Sequence, residues 1–447
     1  MKNRLVFILI LMALLLTAAC LSNPALEKVK QGDVYRDLKQ WDKAIAEYDQ
    51  AIETNPELVQ AYVSRAFAYT MKGEFDKAIA DCNKAIKLDP KSAEAYAARG
   101  YAYTGKGDLD KAMADCNKAI ELAPKLAQAY TYRGNAYASE GEFDKAIADC
   151  DKAIELDSDI ALTYYTRGFS YQGKGEVDKA IADYDMAIEL DPELAQAYLS
   201  RGIAYTGKGD FSMAIADFDE AIALAPYMAQ AYANRGNAYA AVGEFDRAIA
   251  DCDKAIALAP DFALSYFVRG RAYHAKGEFD KAIADCDKMI ELIPDFAQAY
   301  VNRGAAYIEK GDPDKAIADL DKAIELDPNL SLAYNNRGLA YYAKGDYDKA
   351  IADLDKAIEL DPNLVQAYNN RGRAYYGKDD FDKAIADFDK AIELYPEYDF
   401  AYYCRAFAHV AKGEIVEALA DFKKCIQITR SPALAEAAQQ EVAKLEP

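Results

Sequence analysis

An all-α solenoid of about twelve stacked helical hairpins is the fold this sequence predicts, and three observations carry the prediction. Glycine in an Arg-Gly pair recurs every 34 residues, at Gly100, Gly134, Gly168, Gly202, Gly236, Gly270, Gly304, Gly338 and Gly372. Each 34-residue unit holds two apolar stripes at steps of three and four, the mark of two amphipathic helices. Small residues recur at fixed places in both stripes, so the two helices can approach closely. A period of this length signals an array in which each unit buries a face only its neighbour can cover.

The amino end comes first. Lys2 and Arg4 precede an apolar run from Leu5 to Leu16, and Thr17-Ala18-Ala19 leads into Cys20. This is the layout of a secretory signal. The run is shorter than the roughly 20 residues a spanning helix needs. Leu16-Thr17-Ala18-Ala19-Cys20 resembles the bacterial lipobox, with Thr17 where Leu, Val or Ile is commoner. The resemblance implies cleavage before Cys20, acylation of that cysteine and a multi-chain lipid anchor. Leu21, in place of Asp, points by the enterobacterial sorting pattern to an outer membrane, facing the periplasm. Ordinary cleavage and an uncleaved anchor are the alternatives. Residues 1–19 are thus read as a lipoprotein signal peptide, and 20–24 as a lipidated amino end with a short linker.

Twelve registers then run without insertion or deletion over residues 25–432. With Ala25 as position 1, position 4 is Tyr in eleven units and position 11 is Tyr in eleven, His409 being the exception. Position 20 is Ala in all twelve, and position 32 is Pro in all but two, where Ser158 and Arg430 stand. In the unit around Tyr300 the first stripe is Ala299, Tyr300, Gly304, Ala306 and Tyr307; the second is Ala316, Ile317, Leu320, Ala323 and Ile324. Lys310-Gly311-Asp312 breaks the chain between them. Asp327-Pro328 ends the second helix, with the Asp expected to cap the next helix and the Pro to open its first turn. Ser431-Pro432 and the Ala-, Gln- and Glu-rich stretch 433–447 supply a solvating helix to cap the last exposed face.

An aromatic at 4, small residues at 8 and 27, an aromatic at 11, Ala at 20, a bulky side chain at 24 and Pro at 32 resemble the tetratricopeptide repeat. The departure is position 7, where the family's usual Leu is Arg in every unit from Arg65 to Arg405. Position 23 is acidic in all twelve units, which predicts an Arg-to-acid ladder between helices. The resemblance implies a right-handed superhelix whose first helices line a concave groove, with positions 2, 5, 6, 9, 12 and 13 facing it. Position 6 carries Asn234, Asn302, Asn336 and Asn370, and position 5 adds Asn335 and Asn369. The AYNNRG stretches resemble the asparagine ladder of tetratricopeptide domains that hold extended peptides, since an amide offers donor and acceptor to any backbone. Arg271 and Arg373 at position 9 would meet an acidic side chain or carboxylate, and Tyr342 and Tyr376 at position 12 offer flat apolar contact. The family's two-carboxylate clamp is not reproduced. Phe67, Tyr101, Tyr132, Tyr165 and Phe169 make the amino-terminal half more aromatic, a second specificity zone or a face for self-association.

Composition bounds the function. With 53 Lys+Arg against 74 Asp+Glu the net charge is -21, which argues against nucleic-acid binding; 52% hydrophobic residues argue against a disordered acidic tail. The acids concentrate in the second helices: Asp314 to Asp327 carries five acids and two Lys, whereas Ala297 to Gly311 has a net charge of +1. That acidity reads as a solvated face. Cys82, Cys116, Cys150, Cys252 and Cys286 share position 24 with Tyr48, Phe218, Leu320 and Phe388, so they read as core. Cys404 at position 6 is the one candidate for an accessible thiol. Isolated His274 and His409 give no metal site, and no catalytic residues or cofactor are expected. The expected function is a lipid-anchored scaffold of the bacterial cell envelope, binding proteins or extended peptide segments in its groove. The alternatives are a self-assembling structural protein, a non-catalytic assembly factor for an outer-membrane or peptidoglycan machine and, last, an enzyme.

Overall fold

The computed structural model describes residues 23–446, so the leader 1–19 and Cys20 lie outside the described residues. Among those residues there are 25 helices and no strand. Each repeat contributes a first helix such as Ala297–Glu309 and a second such as Pro313–Leu326, and an unpaired helix follows the last repeat. The chain divides after Pro226 into two compact units. Within each, first helices of adjacent repeats touch one another and each second helix packs on the first helix of the following repeat.

The Ala at position 20 is fully buried in every repeat, because a larger side chain would hold the two helices of a hairpin apart. Neighbouring repeats share each core. Val301, Ala316, Leu320 and Ala323 of one repeat are buried against Ala333 and Ala340 of the next, with Tyr300, Tyr307 and Ile324 closing the edge. The last repeat has no follower, and helix Pro432–Leu445 takes that place. Ala438, Leu434, Val442 and Leu445 pack on Tyr402, Tyr403, Phe407 and Phe422. Ser431 caps this helix, its hydroxyl accepting the Leu434 N–H at 3.3 Å.

Two turns alternate. Between first and second helix, position 15 is a glycine with φ between 75° and 83° in ten repeats. The residue after it donates its N–H back into the helix, as Glu74 does to the Tyr69 carbonyl at 2.8 Å. Between repeats, the Asp at position 31 does not cap the following helix as expected. Its carboxylate instead accepts the N–H two residues on, Asp89 from Lys91 at 2.9 Å and Asp327 from Asn329 at 2.9 Å. Pro at position 32 lies in that turn, outside the next helix. The Asp side chain reaches two residues forward, whereas the helix starts four residues on.

Lys39 and Asp379 hold the left-handed conformation without being glycine, with φ of 54° and 61°. For a residue with a Cβ this costs about 1 to 2 kcal/mol. At Lys39 the side chain gains a distant contact: its ammonium donates to both Asp191 oxygens at 2.7 and 3.0 Å and lies 3.4 Å from Glu193. The turn of the first repeat is thereby tied to the turn after helix Val177–Leu190, inside the amino-terminal unit.

Candidate functional site

The charges that recur in every repeat are engaged inside the array. Each position-7 Arg, from Arg65 to Arg405, places Nε and Nη2 on both oxygens of the Asp at position 23 of its own repeat. Arg371 does so to Asp387 at 2.8 and 2.6 Å. The third corner of the guanidinium reaches into the preceding repeat, where Arg371 Nη1 donates to Asp355 at 2.6 Å and Arg133 Nη1 to Asn117 at 2.7 Å. The expected ladder is present and does more than join two helices of a hairpin, because a planar five-donor group can serve carboxylates on opposite edges. The ring of Tyr at position 4 lies under the same guanidinium, 5.6 Å away for Tyr368. In several repeats its hydroxyl donates to the carbonyl of the Pro six residues before, as Tyr266 does to Pro260 at 2.9 Å.

Burial pushes Asp81, Asp285 and Asp387 above the ordinary carboxylate value although a guanidinium faces each. Desolvation therefore outweighs attraction at these carboxylates. A second, exposed series was not expected from the sequence. The Lys at position 14 reaches the Asp at position 18 of the preceding repeat, Lys72 to Asp42 and Lys276 to Asp246, both at 2.6 Å. Its signal was available in two positions, Lys at 14 in nine units and Asp at 18 in ten. Such solvent-exposed pairs contribute little each.

The position-5 and position-6 amides are less uniform than their spacing suggests. Asn335 is 5% exposed, Asn369 1% and Asn370 8%. Asn370 donates to Asn335 Oδ1 at 3.1 Å, and Asn335 donates to Asn336 Oδ1 at 3.0 Å. Asn370 Oδ1 in turn accepts from Arg373 at 3.3 Å. Three of the six amides are thus packed between first helices; Asn370 bonds Asn335 across the repeat boundary, whereas Asn369 Oδ1 is buried without a hydrogen-bond partner. Asn234, Asn302 and Asn336 remain half-exposed on the first-helix face. Asn234 donates to the Gln230 carbonyl of its own helix and Asn302 accepts from Gln298 at 3.1 Å, contacts that a ligand backbone can replace.

Arg271 and Arg373 each line a cavity of the carboxy-terminal unit. The first, about 180 Å³, also has His274, Cys286 and Asn302 in its wall; the second, about 200 Å³, has Tyr342, Tyr376, Phe388, Tyr403, Cys404 and Phe407. Tyr342, Tyr376, Arg373 and Cys404 are therefore brought together, whereas Arg271 stands with His274 three repeats away. Among the described cysteines Cys404 alone is not buried; it lies half-buried against these rings, where burial pushes its thiol up to about 12. Cys82, Cys116, Cys150, Cys252 and Cys286 are free and buried, as core residues.

In the amino-terminal unit the aromatic residues largely satisfy one another. Tyr101 stacks on Tyr132 with ring centres 4.4 Å apart, Phe169 packs edge-on to Phe143 at 6.5 Å and Phe67 edge-on to Trp41 at 6.3 Å. Phe67 and Tyr132 also line a cavity of about 430 Å³ with Arg36, Glu94 and Gln128. Among the described residues no group of His, Cys, Asp and Glu could hold a metal ion, and no helix is long and apolar enough to cross a membrane.

Comparison with known proteins agrees with this architecture. Family models described as TPR repeat match residues 32–73, 68–107, 173–209, 270–311 and 338–379. Others described as tetratricopeptide repeat match 93–126, 127–160, 195–227, 229–262, 252–284, 297–330, 320–352 and 365–398. No curated protein matches the chain. Among solved structures it is similar to a chain of the APC/C hetero-tetramer Cut9–Hcn1, at 15% identity and a TM-score of 0.52, over 96% of this chain and 98% of that one. It is also similar to yeast Tom70, at 20% identity and a TM-score of 0.44 over 94% and 95% of the two chains. A tetratricopeptide repeat protein from Parabacteroides merdae matches at 23% identity and a TM-score of 0.43, over 56% of this chain and 98% of its own. With matched repeats running from residue 32 to 398 and an all-helical array of the same period, this chain belongs to the tetratricopeptide repeat family.

Proposed function

We propose that the protein is a scaffold of the bacterial cell envelope, held to a membrane through lipid on Cys20, that binds extended segments of partner proteins along its first helices. One observation carries the binding half of this reading. The side chains that repeat are engaged inside the array, whereas Asn234, Asn302, Asn336, Arg271, Arg373, Tyr342 and Tyr376 vary between repeats and stand on the first-helix face. Asn234 and Asn302 bond only within their own helices, contacts that a ligand backbone can replace at little cost. No cluster of nucleophile, acid and base accompanies them, so the chemistry on offer is recognition. The lipid adds effective concentration by confining scaffold and clients to one surface.

Each half has its own test. Cys20→Ser is expected to release the protein from the membrane fraction and abolish labelling by a radioactive fatty acid; a variant still bound and labelled overturns the anchor. For the groove, cells expressing the parent or an Asn234→Ala, Asn302→Ala, Asn336→Ala variant are crosslinked and the scaffold is recovered. Asn370 is left intact because it holds Asn335 and Arg373. Client recovery is expected to fall about tenfold, from loss of roughly three hydrogen bonds worth about 0.5 kcal/mol or more each. Unchanged recovery removes the amides from the reading.

A further inference from the structure

Resting on that groove reading, we infer that the carboxy-terminal unit selects acidic segments, through two arginine cavities three repeats apart that take two carboxylates of one extended chain. The argument begins with what the two arginines lack. Every position-7 Arg faces a carboxylate, and Arg36 and Arg247 have Asp33 and Glu244. Arg271 and Arg373, at position 9, make no ion pair with any described residue. Arg373 is held between aromatic faces, its guanidinium carbon 4.6 Å from the Tyr342 ring centre and 5.6 Å from that of Phe400, with Asn370 accepting one N–H at 3.3 Å. Arg271 lies 5.7 Å from the Phe267 ring. A guanidinium stacked on rings keeps the N–H groups of its edge for an in-plane acceptor, and a carboxylate is the group that fits two of them at once.

The surroundings point the same way. No acid lines either cavity. Helices Ala229–Ala241, Ala263–Ala275, Ser331–Ala343 and Val365–Gly377 carry no Asp or Glu; Ala297–Glu309 has one, at its end, and Asp399–Lys412, which supplies Tyr403, Cys404 and Phe407 to the Arg373 cavity, has one, at its start. In the Arg271 cavity His274 Nε2 is buried and without a hydrogen-bond partner, a second group that a ligand oxygen would satisfy. The net charge of -21 opposes an anionic ligand only weakly. It sits mainly on second helices, and charges beyond about 8 Å are screened at physiological salt.

The two sites are not equivalent. The Arg373 cavity is walled by Phe388, Tyr403 and Phe407, so its carboxylate is accompanied by an apolar side chain, whereas the Arg271 cavity, of similar size, is lined by His274 and Asn302 and takes a carboxylate alone. Touching first helices are spaced about 10 Å apart. Three repeats therefore separate the arginines by roughly 30 Å, which an extended chain covers in about nine residues. The partner class is an acidic segment with Asp or Glu at that spacing and an apolar residue beside one of them.

Fluorescein-labelled synthetic peptides with two Glu about nine residues apart, one followed by Phe, test this by fluorescence anisotropy on the full-length protein. Both chain directions are made, and a Gln version of each. The Glu peptide is expected to bind, with the Gln version at least tenfold weaker. Arg271→Gln and Arg373→Gln are each expected to weaken it about tenfold, at unchanged circular dichroism, and both together about a hundredfold. Bringing the two Glu within a few residues of each other costs as much as losing one. Equal binding of Glu and Gln peptides overturns the acidic class and leaves the groove reading standing, and binding of neither overturns both.

Discussion

Replacing Arg269 with Met is expected to destabilise repeats seven to nine by about 3 to 5 kcal/mol, the cost of leaving a buried carboxylate unpaired. Arg269 donates to Asp285 at 2.9 and 2.7 Å and also to Asp253 of the preceding repeat. Asp285 is 4% exposed, so water cannot replace the guanidinium, whereas Asp253 is half-exposed and can be rehydrated. The loss therefore comes almost wholly through Asp285. Adding Asp285→Leu is expected to restore most of it, because removing both members of a buried pair leaves no orphan charge. Acid should also narrow the gap between variant and parent. Asp285 is already held above the ordinary carboxylate value by burial. Without its Arg it rises further, so the folded variant holds a proton that the unfolded chain releases. Stability of that kind is present at low pH and lost as pH rises through the folded value. Hydrogen exchange resolved by repeat, from pH 7 towards pH 4, is the measurement, since a stacked array does not unfold in two states. A uniform loss at all pH values would mean that packing of the Arg stem, not its charge, held the site.

Gly168→Val is expected to cost about 3 kcal/mol, by overpacking where two helices cross. A Cβ at Gly168 would stand 2.9 Å from the Tyr184 ring and 3.1 Å from the Ala180 carbonyl. Tyr184 is fully buried and its hydroxyl donates to Gln172 at 2.7 Å, so it cannot swing clear without breaking that bond. The array contains its own control, because Ala stands at the same place in two repeats, Ala66 opposite Cys82 and Ala406 opposite Phe422, so one Cβ is accommodated even against a ring. Gly168→Ala is accordingly expected to cost about 1 kcal/mol or less and Gly168→Val the larger amount, read as the urea midpoint of the amino-terminal repeats. If the two variants cost the same, the carbonyl of Ala180 sets the limit.

What could be read from the sequence follows from periodicity. Helices, turns and the buried Ala, Gly and Cys positions repeat, and a pattern seen twelve times overrides local ambiguity. The same logic exposed Arg at position 7 and the acid at 23 as partners. It hid the third corner of the guanidinium, because linear spacing relates positions within a repeat more readily than Asp355 to Arg371 across a boundary. Features that occur once carried no periodic signal. Lys39 reaching Asp191 is a contact across 152 residues that only the folded path creates. The asparagines were legible as a series, but not which of them would be consumed: Asn335 and Asn370 meet because they lie 35 residues apart on touching helices. Whether an amide ends in a cavity or against another amide depends on its neighbour, as Cys404 following Asn370 in the series illustrates.

The Arg that spans two repeats has a consequence for how such a gene can grow or shrink. Each guanidinium needs one carboxylate sixteen residues ahead and an acceptor sixteen residues behind, and these belong to different repeats. Duplicating or excising 34 residues, wherever the cut falls, rejoins equivalent positions and returns every arginine to a matching pair. A length that is not a whole multiple of 34 strands a buried Asp at the junction. Growth or loss in whole steps therefore leaves no buried charge unpaired, and the twelve registers share one phase while the residues on their first-helix faces differ.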